Sequence, residues 1–215
     1  MAGTRVSRKR GDLAKKRYPI LEFDPSRRAI IEPGKILQAT DVSRHCVVCF
    51  FREVIDKLRA APGTREVVRL KSEAGEEPLL EIAFHGKRLA VFHPGVGAPL
   101  AAALLEEVIA HGCTKFVACG SAGVLDREIA GGHVVVPTSA VRDEGTSYHY
   151  PAPGREVEPS PEGVAAVVST LESRKCPILR ARRGRRTHST AKPPPRSPSA
   201  EAKVASRWNR RLRGC

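Results

Sequence analysis

The chain has 215 residues, with 37 Lys and Arg against 23 Asp and Glu, and its formal net charge is +14. No stretch approaches the roughly 18 apolar residues that a membrane helix needs, and the basic N-terminus is not followed by the apolar run of a secretory signal. With six cysteines and no such signal, we expect reduced thiols and a cytoplasmic protein rather than a membrane or secreted one.

The positive charge is concentrated at the two ends. Residues 1–17 carry seven Lys or Arg against one Asp, and residues 174–215 carry fourteen against one Glu. Since the whole chain carries +14, residues 18–173 have a net charge of −5. Charged segments with little apolar surface to bury do not fold alone. We predict a basic disordered leader (1–17), an incomplete α/β domain (18–173) and a basic disordered tail rich in Pro, Arg and Ser (174–215).

The domain is predicted to open with a loop region and one long helix. Residues 20–40 carry turn signals and are predicted as loops with a short strand. Residues 45–60 are predicted as a helix that ends at Pro62-Gly63. Cys46 and Cys49 in this segment invite a zinc or redox interpretation, but no second Cys/His pair stands at zinc-ligand spacing. We therefore favour buried structural thiols.

Strands and helices then alternate. Strands are predicted at residues 66–70, 79–84, 88–92, 114–119 and 133–137, and helices at residues 100–111 and 163–174. His85-Gly86-Lys87 is a short hairpin connection, whereas helices between strands indicate crossovers within a parallel sheet. The predicted fold class is therefore α/β, a single domain with a central mixed β-sheet flanked by helices.

Two glycine-rich turns follow predicted strands. Pro94-Gly95-Val96-Gly97 and Gly120-Ser121-Ala122-Gly123 lie where ligands bind in open α/β sheets, beyond the carboxyl ends of strands. Small residues let backbone N–H groups approach an anion, and a serine hydroxyl adds a donor. Taken alone, a turn of this kind is more often a tight strand-to-helix connection than an anion site. Further along, residues 142–150 combine donors, acceptors and two tyrosines, which suits a polar ring-shaped ligand or an ordinary polar loop.

Three segments together carry a resemblance to a known family. They are Gly120-Ser121-Ala122-Gly123-Val124-Leu125, Gly132-His133-Val134-Val135-Val136-Pro137-Thr138 and Asp143-Glu144-Gly145-Thr146-Ser147. In this order they resemble the nucleoside phosphorylase family, which includes uridine phosphorylase and the hexameric purine nucleoside phosphorylases. The resemblance implies phosphorolysis of a purine or pyrimidine nucleoside to free base and ribose 1-phosphate. It also implies inorganic phosphate as co-substrate, no metal or organic cofactor, and a homo-oligomer.

The resemblance also implies roles for individual residues. Gly120 and Ser121 match the phosphate-contacting turn, and Asp24-Pro25-Ser26-Arg27 resembles the N-terminal phosphate loop, so that Arg27, Gly120 and Ser121 are the implied phosphate ligands. Glu144, Thr146 and Tyr148 lie where the family binds the nucleoside. The chain departs from the pattern at Ala118, where the family often has Arg, and at Phe23, where it usually has Gly.

The tail lacks the family's C-terminal motifs in the frame as translated. Reading the codons of residues 183–193 one frame over permits Trp-Thr-Thr-Asp-Ala-Leu-Tyr-Arg-Glu-Thr, which resembles the family segment with the catalytic Asp. The same shift at residues 205–209 permits Val-Glu-Met-Glu, which resembles the ribose-binding segment. We interpret residues 174–215 as an out-of-frame phosphorylase C-terminus, expect impaired activity, and assign no catalytic residue. Alternatively, the tail is a genuine basic segment and the protein binds nucleic acid through its two ends.

Overall fold

The structure is a computed structural model that describes residues 15–26, 29–123 and 133–183, with side chains up to residue 180. Residues 1–14 of the predicted leader and residues 184–215 of the predicted tail lie outside this description. The contacts divide the chain into two compact units. The first runs to Gly120 and includes Glu144–Pro153, and the second contains Ser121–Asp143 and the chain from Gly154 onward.

The first unit is built on a five-stranded mixed sheet. Its strands are β1 (His45–Cys49), β2 (Arg65–Ser72), β3 (Gly75–Phe84), β4 (Lys87–Phe92) and β5 (Lys115–Cys119), in the order β2-β3-β4-β1-β5. β2, β3 and β4 pair antiparallel, whereas β1 runs parallel to both β4 and β5. The predicted α/β fold with a central mixed sheet is thereby confirmed.

Three helices accompany this sheet: α1 (Pro33–Ile36), α2 (Arg52–Ala60) and α3 (Ala98–His111). α3 ends at Gly112 as predicted, and Leu104 and Val108 on it pack into a core with the buried β-strand residues Leu79 and Phe92. A second core forms around Ile55 of α2. α2 follows β1 and α3 follows β4, and the buried face of each helix holds it against the sheet.

The single helix predicted over residues 45–60 is wrong. Residues 45–49 form β1, and the helix begins only at Arg52. The apolar run Cys46-Val-Val-Cys49 lies between two parallel neighbours, and such strands read as continuous apolar segments without alternation. Phe50 and Phe51 continue that run into the helix, which hides the boundary. The short strand expected in residues 20–40 is also wrong for the described residues there, which form a 3-10 turn and α1.

The described residues of the second unit form a smaller sheet and one helix. Its strands are β6 (Val134–Val141), β7 (Glu156–Val157) and β8 (Ile178–Arg183), in the order β7-β6-β8, and its helix is α4 (Pro161–Ser173). β6 runs antiparallel to β7 and parallel to β8. The Ser160 hydroxyl caps α4 by accepting a hydrogen bond from the Gly163 N–H at 3.1 Å.

The tail boundary predicted at residue 174 is too early. β8 lies beyond it and pairs with β6 through Val134–Ile178 and Val135–Leu179. The pairing continues to Ala140–Arg183, and the arginines of β8 conceal its strand character in the composition. Folded structure therefore continues to Arg183. Within the described ranges, none of the helices has the length and apolar character required to cross a bilayer.

Candidate functional site

The carboxyl ends of three strands meet at one edge of the five-stranded sheet, because β4, β1 and β5 are mutually parallel. Phe50 follows β1, His93 follows β4, and Gly120 follows β5. The Phe50 N–H donates a hydrogen bond to the Cys119 carbonyl at 2.9 Å, which ties the first and last of these ends together. This is the edge at which open α/β sheets bind ligands. We call it the carboxyl edge.

The turn between β4 and α3 depends on a glycine. Gly95 has φ +74°, and a Cβ at this position would lie 2.3 Å from Cδ2 of Leu100. Any other residue would force the Leu100 side chain to move and would carry the strain of a positive φ. Gly97 then precedes the helix and its carbonyl accepts from the Ala101 N–H at 3.1 Å. The first N–H groups of a helix have no partner within it, so this turn presents donors and a partial positive charge to an anion.

The end of β5 also requires a close backbone approach. A Cβ on Gly120 would lie 3.2 Å from the Phe50 Cβ, tighter than ordinary contacts. The small residue therefore lets the turn after β5 lie against the residue after β1. Gly120 itself is exposed, as is Ser121, the next residue in the chain. The backbone here is consequently accessible to a ligand.

His93 is a buried neutral histidine that joins these turns. Its Nδ1 accepts a hydrogen bond from the Gly95 N–H at 3.0 Å and lies 3.2 Å from Nη2 of Arg52. The ring packs edge-on to Phe50 at 6.4 Å and bonds to the Phe50 main chain. Burial, together with the Arg52 charge, lowers the pKa of His93 below its usual value. Since Nδ1 accepts, the proton resides on Nε2.

Arg52 is the cation of this edge. Its Nη1 donates to Oε2 of Glu77 at 2.6 Å and its Nη2 donates to Oε1 of the same carboxylate. This pairing raises the pKa of Arg52 further. The Arg52 side chain is nevertheless 48% exposed, whereas Glu77 is only 15% exposed. The less exposed Glu77 thus fixes the position of the guanidinium and leaves part of it open to solvent.

The sequence-based prediction of the site did not include Arg52, Glu77 and His93. Arg52 lies in the middle of the helix predicted over residues 45–60, whereas it is the first residue of α2, just after β1. Glu77 belongs to a strand whose pairing is not visible in the sequence alone. His93 stood directly before the turn that was singled out. The position of a histidine at the end of a predicted parallel strand was the available signal, and a correct boundary for β1 would have added Arg52.

Of the predicted phosphate ligands, Gly120 and Ser121 directly follow β5, while Arg27 lies outside the described residues. The contacts place Gly120 against Phe50, which in turn contacts His93. The predicted nucleoside ligands form a separate group. Thr146 and Tyr148 lie on a one-turn 3-10 helix, Thr146–His149, and both are half-buried.

Glu144 holds that short helix. Its carboxylate accepts a hydrogen bond from the Ser147 N–H at 3.0 Å. Burial acts to raise the pKa of Glu144, but hydrogen bonds from Ser147 and Thr146 outweigh it and the pKa is lowered. The carboxylate is therefore ionised at neutral pH and is engaged in positioning the turn that carries Thr146 and Tyr148.

The short helix is attached to α3. Tyr150 follows it and donates its phenolic hydrogen bond to Oε1 of Glu106 at 2.6 Å. Burial and the neighbouring Glu106 carboxylate raise the pKa of Tyr150 to about 12. The phenol thus stays protonated and keeps the bond at physiological pH. α3 consequently connects the Gly97 turn at its start with the segment that carries the predicted nucleoside ligands.

Comparisons with known proteins agree with this architecture. The guanosine phosphorylase of Halorubrum lacusprofundi is 25% identical over 141 residues, which cover 66% of this chain and 57% of that protein. The uridine phosphorylase of Thermococcus kodakarensis is 35% identical over 100 residues, covering 41% of this chain and 36% of that protein. The chain therefore spans little more than half of the first relative's length and about a third of the second's.

Solved structures show the same fold. Uridine phosphorylase from Vibrio fischeri superposes with a TM-score of 0.56 at 21% identity, over 80% of this chain and 68% of that one. Purine nucleoside phosphorylase from Toxoplasma gondii gives 0.58 at 14% identity, over 71% and 62%. The family model described as the phosphorylase superfamily matches residues 44–209. The chain belongs to the phosphorylase superfamily.

Proposed function

We propose that this chain binds inorganic phosphate and a nucleoside, and that its chemistry is phosphorolysis to free base and ribose 1-phosphate. The observation that carries the proposal is the meeting of two glycine turns and a fixed guanidinium at the carboxyl edge. Membership of the superfamily supports the reaction class. The relatives are named for guanosine and for uridine, so either a purine or a pyrimidine base is compatible with them.

The proposed phosphate ligands come from several turns. Arg52 supplies charge-assisted hydrogen bonds, which are the strongest anion contacts. Gly120, Val96 and Gly97 supply backbone N–H groups, since the Gly95 N–H already donates to His93, and the Ser121 hydroxyl, next along the chain, adds a further donor. Arg27 remains a proposed ligand. The family often has an arginine where this chain has Ala118, and Arg52 would supply the positive charge in its place.

The proposed nucleoside ligands are Glu144, Thr146 and Tyr148. The half-buried Tyr148 ring offers an apolar face to a base or a sugar, and the Thr146 hydroxyl can exchange hydrogen bonds with ribose. Glu144 contributes by holding both residues on one turn, because its carboxylate is already bonded to Ser147. No metal or organic cofactor is needed, since phosphate itself is the nucleophile.

The proposed reaction requires more than a phosphate-binding site. A phosphate oxygen attacks C1′ of the ribose while the bond to the base breaks and its electron pair leaves with the base. Positive charge develops on the sugar and negative charge on the base, and both must be stabilised in the transition state. Thr187 stands where the shifted frame would place the family's Asp. We therefore propose phosphate binding with weak turnover.

Phosphate binding tests the site directly. Titration calorimetry of the full chain with inorganic phosphate should give saturable binding, and Arg52→Gln should weaken it at least about tenfold, as expected for the loss of a charge-assisted pair. Arg69→Gln is the matched control, since Arg69 is 52% exposed and also paired with a carboxylate, Glu66. Equal weakening by both variants, or no binding by the parent protein, would contradict the proposal.

Turnover is tested separately with uridine, inosine and adenosine. Release of free base should depend on added phosphate and should be slow or absent. Rates typical of ordinary enzymes would show that the C-terminal segment is not impaired, although the phosphate site would stand. Sequencing the gene through codons 170–215 would decide whether the shifted frame is the natural one.

Assembly and location complete the proposal. Homo-oligomerisation is proposed from the family resemblance and is tested by sedimentation of the full chain. A cytoplasmic location is proposed because the cysteines of the described residues are free thiols, which persist in reducing compartments.

A further inference from the structure

Two cysteines face each other at the carboxyl edge. Cys49 is the last residue of β1 and Cys119 is the last of β5, and the two are direct partners in the parallel register. Register partners on neighbouring parallel strands direct their side chains to the same face of the sheet. Cys49 is buried, whereas Cys119 is exposed. The pair thus combines one thiol that solvent reaches with one that it does not.

The spacing of the two residues suits a covalent bond. Neighbouring strands lie about 4.8 Å apart, and disulfides form across Cα separations of roughly 4.4–6.8 Å. The Cys119 thiol interacts with the Cys49 thiol, which also donates to the Phe51 carbonyl at 3.9 Å. Burial and the adjacent Cys49 raise the pKa of Cys119 to about 11, so that it is a thiol rather than a thiolate at neutral pH.

We propose that Cys49 and Cys119 form a reversible disulfide with a low-molecular-weight disulfide as oxidant, and that this bond closes the proposed anion site. The exposed Cys119 thiol loses its proton, and the small thiolate fraction attacks the oxidant and releases one of its halves as a thiol. Cys49 then attacks the Cys119 sulfur and releases the second half. Two electrons pass to the oxidant, and the two protons lost from the cysteines end on its thiols. A reducing dithiol reverses the sequence.

The consequence for the site follows from the neighbours of the two cysteines, and it rests on the proposed function. Cys49 is followed by Phe50 and Cys119 by Gly120, which are already so close that a single Cβ on Gly120 would lie 3.2 Å from the Phe50 Cβ. A disulfide between the preceding residues fixes the two strand ends to each other, and any adjustment that its geometry requires in either strand moves Gly120 relative to Phe50. The backbone of Gly120 would then no longer lie where it does in the reduced protein.

The chain contains its own control pair. Cys46 and Cys113 also interact through their thiols, but both are buried, and the Cys113 thiol contacts the Ser43 carbonyl at 3.2 Å. Cys46 lies three residues from Cys49 on β1 and belongs to the other core cluster. An oxidant in solution cannot reach this pair without unfolding the sheet. A comparison of the two pairs therefore separates the effect of the distance between two thiols from the effect of solvent access to one of them.

The test uses the full chain in a Cys176→Ser, Cys215→Ser background, which leaves only the two pairs. The protein is incubated with oxidised glutathione, alkylated, digested without reduction and analysed by mass spectrometry. We expect a Cys49–Cys119 cross-linked peptide that disappears on reduction, while Cys46 and Cys113 are alkylated only after denaturation. Because the thiolate attacks, formation should be about tenfold faster at pH 8.5 than at pH 7.5.

Two variants and one binding measurement complete the design. Cys119→Ser should abolish the cross-link, and Cys49→Ser should stop the reaction at a glutathione adduct on Cys119. A stable adduct on Cys119 in the parent background, or a cross-link to another cysteine, would overturn the disulfide. Phosphate binding should weaken at least about fivefold on oxidation and recover on reduction. Unchanged binding in the cross-linked protein would overturn the closure, whereas failure of the reduced protein to bind phosphate would instead count against the proposed function.

Discussion

At the scale of single residues, His93 links the ends of β1 and β4 through an acceptor that protonation would remove. Its pKa is lowered in the folded chain, chiefly by burial and then by Arg52. The unfolded chain therefore binds the proton more readily. The stability that His93 contributes is present above its unfolded pKa of about 6.5 and is lost as the pH falls through the folded value.

The corresponding experiment compares unfolding free energies at pH 7.5 and pH 5. The parent chain should lose more stability over this interval than His93→Asn, whose side-chain oxygen keeps an acceptor near the place of Nδ1 but does not titrate. The difference between the two proteins isolates His93 from the carboxylates that titrate in both. Identical pH profiles would show that the ring nitrogen does not hold Gly95 and Arg52 in solution.

A second prediction concerns Gly95. Gly95→Ala places a side chain at φ +74° and a Cβ 2.3 Å from the Leu100 Cδ2, so both backbone strain and overpacking oppose it. We expect a loss of about 2–4 kcal/mol in the free energy of unfolding. Gly34→Ala is the control, since nothing lies within 4 Å of its Cβ position. Chemical denaturation measures both, and a loss below about 1 kcal/mol at Gly95 would contradict the described turn.

At the scale of secondary-structure elements, a buried carboxylate holds together the starts of β1 and β4, at the ends opposite the carboxyl edge. Glu81 of β3 accepts hydrogen bonds from Arg88 at the start of β4 and from Arg65 of β2, both at 2.9 Å. It also accepts from the Ser43 N–H just before β1, at 2.8 Å. Three other segments thus converge on this side chain of β3, and the position of β1 beside β4 depends on it.

Glu81→Gln should destabilise the chain by about 2–3 kcal/mol, because a buried carboxylate loses its charge while two arginines, each about half exposed, lose a partner. Burial acts to raise the pKa of Glu81, but the arginines and Ser43 lower it overall. Its contribution is therefore present above the unfolded pKa and lost as the pH falls through the folded one. Glu76→Gln, a more exposed pairing, should cost less than about 1 kcal/mol in the same denaturation assay.

Elements with a clear period or clear end signals were predictable from the sequence. The hairpin at residues 85–86, α3 with its closing glycine and β5 were found at nearly their observed positions. β1 was not, because a strand buried between parallel neighbours and a helix that starts two residues later share one apolar run. β8 was not, because its arginines dominate the local composition and its parallel partner lies about forty residues away.

The candidate site was predictable only in part for the same reasons. The glycine turns were visible as short motifs beside strands. Arg52, Glu77 and His93 come from three separate elements, and their convergence depends on the strand order β3-β4-β1, which no local pattern specifies. Thr146 and Tyr148 share one 3-10 turn, and Glu144 precedes it and accepts a hydrogen bond from Ser147 within it.

At the scale of the whole molecule, charge is distributed very unevenly. Residues 184–215 carry nine Lys or Arg against one Glu, out of a chain total of +14. Removing them should abolish most non-specific binding to single-stranded DNA, which should already fall steeply between 50 and 200 mM salt in the full chain. Fluorescence anisotropy with a labelled oligonucleotide measures both effects. Undiminished DNA binding by the shortened chain would place the nucleic-acid contact elsewhere.

β5 has a further consequence for handling the protein. It is the last strand in the order of the five-stranded sheet, and most of its side chains, Val117 among them, are exposed. A strand of this kind can act as a template for a strand from a neighbouring molecule, and Lys115 at its start is a single charge against such stacking. Concentrated samples are therefore expected to aggregate by strand pairing, and Val117→Lys is expected to reduce this aggregation.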